Sequence, residues 1–158
     1  AVMTGSNFSS WYNQEEGSVY SEFRMDQKPL VSYFNNFVWS INEPSNSNLI
    51  SGSVDATGYL KTQSYFNDSL VAFNASATPW VNNTLYRIGF SFTQDNFNTS
   101  YNSSNIISDT SGPLFKNMAS LYLGSLVPGT SLLRGHLRRF TYYPKKLTNQ
   151  ELQTLTAI

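Results

Sequence analysis

Short apolar runs with period two, separated by polar turns, fill most of the chain. Across residues 17–25, Val19, Ser21, Phe23 and Met25 fall on one face and Tyr20, Glu22 and Arg24 on the other. Phe37-Val38-Trp39-Ser40-Ile41-Asn42 alternates in the same way, and residues 86–92 put Tyr86, Ile88, Phe90 and Phe92 on one side. Leu121-Tyr122-Leu123-Gly124 reads as a further short strand. Residues 137–143 read as the last strand, although Leu137, Phe140 and Tyr142 break strict alternation. A bulge at Arg138-Arg139 would bring all three to the core face. Weaker strands are predicted over residues 48–54, 58–63 and 70–74. Turn-forming clusters lie at 43–48, 55–58, 74–79, 94–105, 108–113 and 127–130. One segment is helical in pattern. Thr148 suits an N-cap, Glu151 stands at the capping-box spacing, and Leu147, Leu152 and Leu155 supply an apolar side.

Many short strands with regular turns predict an all-β sandwich or jelly roll. The 158 residues fit one domain spanning 1–158, and 40% apolar content is enough for a core. Charged residues are only 13%, against about 25% in ordinary domains. Asn, Ser and Thr must therefore supply the polar surface, which points toward neutral partners such as sugars. A net charge of zero argues against nucleic acid. Arg134, Arg138, Arg139, Lys145 and Lys146 nevertheless concentrate half of the ten basic residues in one stretch. That stretch reads as a solvated edge or an inter-chain contact. Cysteine is absent, which removes disulfides and thiolate chemistry. No apolar run approaches the ~18 residues of a membrane span, so membrane insertion is not expected.

Little in the sequence supports catalysis. His136 is the only histidine, so a metal-binding His pair is excluded, and its place in a strand suits structure better than a triad. Glycoside hydrolysis needs two acids across one bond. Glu15 and Glu16 are adjacent and diverge on a strand, and Glu22 stands alone. Aromatic rings that stack on sugars, with amides and charges that bind hydroxyls, are present. Trp11, Trp80 and Tyr101 are the candidate platforms, and Asn102, Arg87 and Glu22 the candidate polar contacts. Packing beneath a loop is the commoner fate of such aromatics. Trp39 alternates with Phe37 and Ile41 and belongs in the core.

The closing segment carries a resemblance. Leu121-Tyr122-Leu123-Gly124, then Gly135-His136-Leu137-Arg138-Arg139-Phe140-Thr141-Tyr142-Tyr143-Pro144, then Leu147-Thr148 and Glu151-Leu152 resemble the final signature of laminin G-like, concanavalin A-like domains. The wording is most similar to versions in bacteriophage virion proteins. The resemblance implies a concanavalin A-like jelly-roll sandwich of two antiparallel sheets with a short C-terminal helix. It also implies a non-catalytic carbohydrate-binding or adhesion module on a phage surface protein. Its partner would be a cell-surface glycan or polysaccharide, and its location extracellular or the virion surface. A structural decoration module contacting other virion proteins is the alternative. Ser21-Glu22-Phe23-Arg24 resembles part of a jelly-roll alginate lyase strand, but Tyr20 stands where that family has Arg and the Gln-x-His strand is missing. Members of the laminin G-like family sometimes bind calcium through loop oxygens. Asp95, Asn96 and Asn98 are the matching hard-oxygen candidates here, with too few carboxylates for a strong site. No other cofactor is expected.

Overall fold

The expected alternation builds two antiparallel sheets in the computed structural model, which describes residues 1–27, 36–114 and 116–157. The front sheet has six strands. In spatial order they are β1 (Val2–Thr4), β10 (Ser120–Leu123), β3 (Asn36–Asn42), β4 (Leu49–Val54), β5 (Tyr59–Phe66) and β6 (Ser69–Pro79). The back sheet has five: β11 (Gly135–Tyr143), β2 (Glu16–Met25), β7 (Leu85–Thr93), β8 (Asn96–Tyr101) and β9 (Ile107–Asp109). A single-turn helix α1 (Ser6–Ser9) follows β1, and α2 (Asn149–Thr156) ends the chain.

The inner faces form one contiguous core. Val19, Phe23 and Met25 of β2 and Ile88, Phe90 and Phe92 of β7 meet Trp39, Ile41, Ile50, Val54 and Leu121 from the front sheet. Each such side chain contributes about 1.5–3 kcal/mol on burial. Trp39 lies 6.0 Å from the Phe90 ring and donates its indole N–H to Ser21 Oγ at 3.3 Å. Gly52 opposite has no side chain because a Cβ there would stand 2.5 Å from the Trp39 Nε1. Thr62 and Thr99 join hydroxyls across the two sheets at 2.6 Å, and Asn74 donates to the Phe97 carbonyl at 3.1 Å. These hydrogen bonds offset the cost of burying the two threonine hydroxyls and the Asn74 amide nitrogen. These bonds, and the Phe73 backbone N–H to Asp109, close the flank between β6 and β9.

Several expectations change. The predicted turn cluster at 94–105 contains all of β8, because Phe97, Thr99 and Tyr101 face inward and pair against β7. The cluster at 74–79 is the end of an eleven-residue β6, and 108–113 begins inside β9. Neither β1 nor α1 is anticipated by the pattern. The bulge is where the alternation required it, with the register against β2 shifting between Leu137 and Arg139. The C-terminal helix has the full capping box between Thr148 and Glu151. It sits on the outer face of the back sheet, over the small residues Ser18, Gly89 and Ser100. Leu147 N–H donates to Ser18 Oγ at 2.8 Å, and the Ser100 and Thr156 hydroxyls meet at 2.9 Å. Gly89 leaves room for Leu152, which is completely buried.

Candidate functional site

The residues singled out from the sequence occupy four places. Glu22 and Arg87 come together on the outer face of the back sheet, as neighbours in the β2–β7 register. The buried Glu22 carboxylate accepts from Tyr20 hydroxyl at 2.8 Å, from Arg87 at 3.3 Å and from Arg138 at 3.0 Å. Burial alone would push its pKa up. The hydrogen bonds from Tyr20 and Arg87, with the Arg138 charge, outweigh that and hold the carboxyl below its ordinary range. Arg87 also donates to the Ala157 carbonyl at the end of α2. This network therefore ties β2, β7, β11 and the helix together, with its polar atoms already engaged.

Asn102 stands beside it and its side-chain oxygen accepts from the Arg87 backbone N–H at 2.8 Å. Asn102 and Ser103 both adopt positive φ, 47° and 61°, in a tight turn closed by Ser104 N–H on the Tyr101 carbonyl. Tyr101 faces inward, and its hydroxyl donates to the Asn74 carbonyl at 2.8 Å. Burial pushes its pKa well up, and its ring is not presented to a ligand. Trp11 packs edge-on against Phe8 and Tyr142, both at 4.9 Å, and lines a groove at the open flank of the sandwich. Trp80 lies over Gly58 at the opposite side of the molecule's loops, lining a cleft of about 280 Å³ with Thr57 and Asn82.

The loop-oxygen candidates are internally bonded. Asp95 Oδ1 accepts from Gly112 N–H at 3.1 Å and its Oδ2 from Gln94 at 3.1 Å. Asn98 donates its amide to the Asn96 side-chain oxygen at 3.0 Å. Among the described residues no three His, Cys, Asp or Glu side chains group as metal ligands.

A different surface emerges on the outer face of the front sheet. Pairing sets Tyr122, Ser40, Ser51, Gln63 and Phe73 side by side in one row across five strands. Their side chains point outward because Trp39, Ile41, Gly52 and Thr62, one residue away in each strand, point into the core. Asn42 and Tyr65 flank the row on one side, and Ser53 and Lys61 on the other. Ser40 donates to the Leu126 carbonyl at 2.7 Å and Asn42 to the same carbonyl at 3.2 Å. Ser51 Oγ, Ser53 Oγ, Gln63 Nε2 and Asn42 Oδ1 are buried without a hydrogen-bond partner among the described residues, and such groups cost about 1–3 kcal/mol each if left unmet.

Beside them, Phe73 is 38% exposed and Leu70 50% exposed. Lys61 stands 5.0 Å over the Phe73 ring and forms an ion pair with Asp55 at 2.5 Å. Burial would raise the Asp55 pKa. Hydrogen bonds from Lys61, Thr57 and the Tyr59 backbone outweigh this and bring it down to about 2. Ser40, Asn42, Ser51 and Ser53 have no exposure and Gln63 only 3%, so the accessible part of this face is the Phe73 ring, Leu70, and the half-buried Tyr65 and Lys61, a cation already neutralised. Sequence reasoning missed it because Ser, Asn and Gln were read as turn and surface chemistry. The available signal was their alternation with core residues at 40, 42, 51, 53 and 63.

The two sheets and the helix at the chain's end define a concanavalin A-like jelly roll. Among solved structures, the chain is similar to a carbohydrate-binding module, CBM40, of the Ruminococcus gnavus IT-sialidase bound to α2,3 sialyllactose. The TM-score is 0.72 at 13% identity, over 92% of this chain and 84% of that one. It is also similar to a heptameric SAP-like pentraxin of Limulus polyphemus, with TM-score 0.64 at 12% identity over 90% and 70% of the two chains. Domains LG4-5 of the mouse laminin α1 chain match with TM-score 0.64 at 9% identity, over 94% of this chain and 40% of that one. No protein-family model matches the chain, and no curated protein matches it in sequence.

Proposed function

We propose that the protein is a non-catalytic glycan-binding or adhesion module that takes a neutral glycan on the outer face of the front sheet. The observation that carries this reading is the exposed Phe73 ring, with the half-buried Lys61 and Tyr65 of the neighbouring strand on the same face. A sugar ring stacks on an aromatic face and its hydroxyls both donate and accept. The ligand is neutral because Lys61, the cation on this row, is committed to Asp55. A carbohydrate-binding module holding sialyllactose is among the structures of similar fold, which supports glycan binding; sialyllactose is acidic, so the preference for a neutral glycan rests on Lys61 alone. The setting we propose is the surface of a phage or phage-derived protein, on the strength of the closing segment's wording. A second reading, a decoration module making protein contacts, is favoured by the edge of β11 that has no strand partner among the described residues.

The test is a binding screen of the purified protein against neutral and acidic bacterial polysaccharides. Binding to a neutral glycan, lost in Phe73→Ala and weakened in Tyr65→Ala but kept in Trp80→Ala, is expected. Silence across the panel, or binding indifferent to Phe73 and Tyr65, would overturn the assignment.

A further inference from the structure

The two sheets are unequal, six strands against five, and the difference falls at one flank. Where β6 meets β9 the sandwich is closed. At the opposite flank, β1 and β10 of the front sheet extend beyond β11 and leave a groove of about 1030 Å³. Its walls include Met3, Leu121 and Leu123 from the front sheet and Leu137, Phe140 and Tyr142 from β11. The inward-facing residues of β11 are only half-buried, whereas Val19 and Phe23 on the adjacent strand are fully enclosed. That is the burial of a strand that lacks a neighbour on one side.

The backbone agrees. Over its nine residues β11 pairs with β2 alone, and its other edge has no backbone partner among the described residues. Nine residues of unpaired edge, roughly 30 Å long at about 3.3 Å per residue, form a template for another strand. Charge sets what kind. Arg134 and Arg139 have no carboxylate partner among the described residues, and Arg138 shares the single Glu22 carboxylate with Arg87. Arg138 and Arg139 are exposed. An antiparallel second copy would set these arginines against their own kind, which is unfavourable. An acidic strand would not.

We propose that the free edge of β11 accepts an extended segment of another polypeptide, with acidic and apolar residues in alternation, as a sixth strand of the back sheet. Its apolar side chains would cover the groove beside Leu121, Leu123 and Met3. Its acidic side chains would lie outward beside Arg138 and Arg139. This site is independent of the glycan-binding face.

The test selects displayed random nine-residue peptides on the purified protein, then measures synthetic copies of those enriched. Alternating acidic and apolar sequences are expected. N-methylation at every second residue should abolish binding in one register and spare it in the other, the signature of strand addition. Arg139→Glu, a change at an exposed position, should weaken binding roughly tenfold or more. Enrichment of sequences without that alternation, no enrichment at all, or indifference to both N-methylation registers would overturn the proposal. So would affinity unchanged by Arg139→Glu. A self-dimer that excludes the peptide would assign the edge to a second copy and overturn it as well.

Discussion

Replacing Asp55 by Asn is expected to destabilise the protein at neutral pH and to lose that effect in acid. Asp55 opens the turn between β4 and β5. Its carboxylate accepts from the Thr57 hydroxyl at 2.6 Å and the Tyr59 N–H at 2.9 Å, and pairs with Lys61 at 2.5 Å. Asn keeps an oxygen for the first two donors but cannot balance the Lys61 charge. The side chain is only 12% exposed, so water screens the pair weakly. A carboxyl at about 2 in the fold, against about 3.9 in an unfolded chain, contributes about 2.5 kcal/mol at neutral pH. The folded value lies below the unfolded one. The contribution is therefore complete above the unfolded pKa and is lost as pH falls through the folded one. Urea unfolding of both proteins, followed from about pH 7 to about pH 2, isolates this group, because other carboxylates titrate alike in the two and cancel. The gap should be near 2 kcal/mol at the top of the range and close toward zero at the bottom. Equal stability at neutral pH, or a gap unchanged in acid, would refute the reasoning. The same variant releases Lys61 on the face proposed to bind glycan, so affinity for an acidic glycan should rise.

Ser51→Ala removes a fully buried hydroxyl that has no partner among the described residues. Thermal unfolding should show stability unchanged or raised by up to about 1 kcal/mol; a clear loss would show that the hydroxyl is bonded after all. Gly89→Val places a Cβ 3.1 Å from the Thr156 methyl and 3.3 Å from Leu152. It should cost about 1–3 kcal/mol and speed hydrogen exchange selectively in α2. Thr148→Ala breaks the capping box at the start of that helix. A loss of about 1 kcal/mol in urea unfolding is expected. Because the Asp95 oxygens already accept from Gly112 and Gln94, calcium should leave the melting temperature unchanged; a clear rise would overturn that.

Strands with one mainly apolar face were legible from the sequence. β2 and β7 read correctly because Val19, Phe23 and Met25, with only the small Ser21 between them, and Ile88, Phe90 and Phe92 recur at every second position. The β11 bulge followed from the same rule, since three large residues could reach the core only through an extra residue. β8 was hidden because Asn96, Asn98 and Ser100 occupy its outward positions, and those residue types signal turns. Its pairing with β7 and the burial of Phe97 and Tyr101 override that local preference. The candidate site was illegible for a related reason. Its members come from β3, β4, β5 and β6, and only sheet register places Ser40, Ser51, Gln63 and Phe73 in line. Tyr101 misled in the opposite sense: its polar surroundings in sequence are the outer face of a strand whose inner face it serves.

The asparagine between the sheets has a consequence for where the chain can be made. Asn74-Ala75-Ser76 is an acceptor sequence for N-linked glycosylation. In the folded protein the Asn74 side-chain nitrogen is buried and donates to Phe97 and Thr99 of the facing sheet. That nitrogen is the atom an oligosaccharide would occupy. Transfer in a eukaryotic secretory pathway acts on the chain before it folds, and a glycan there would hold the two sheets apart. Production in such a host should therefore yield misfolded material unless Ser76 is replaced, whereas a bacterial cytoplasm sets no such trap.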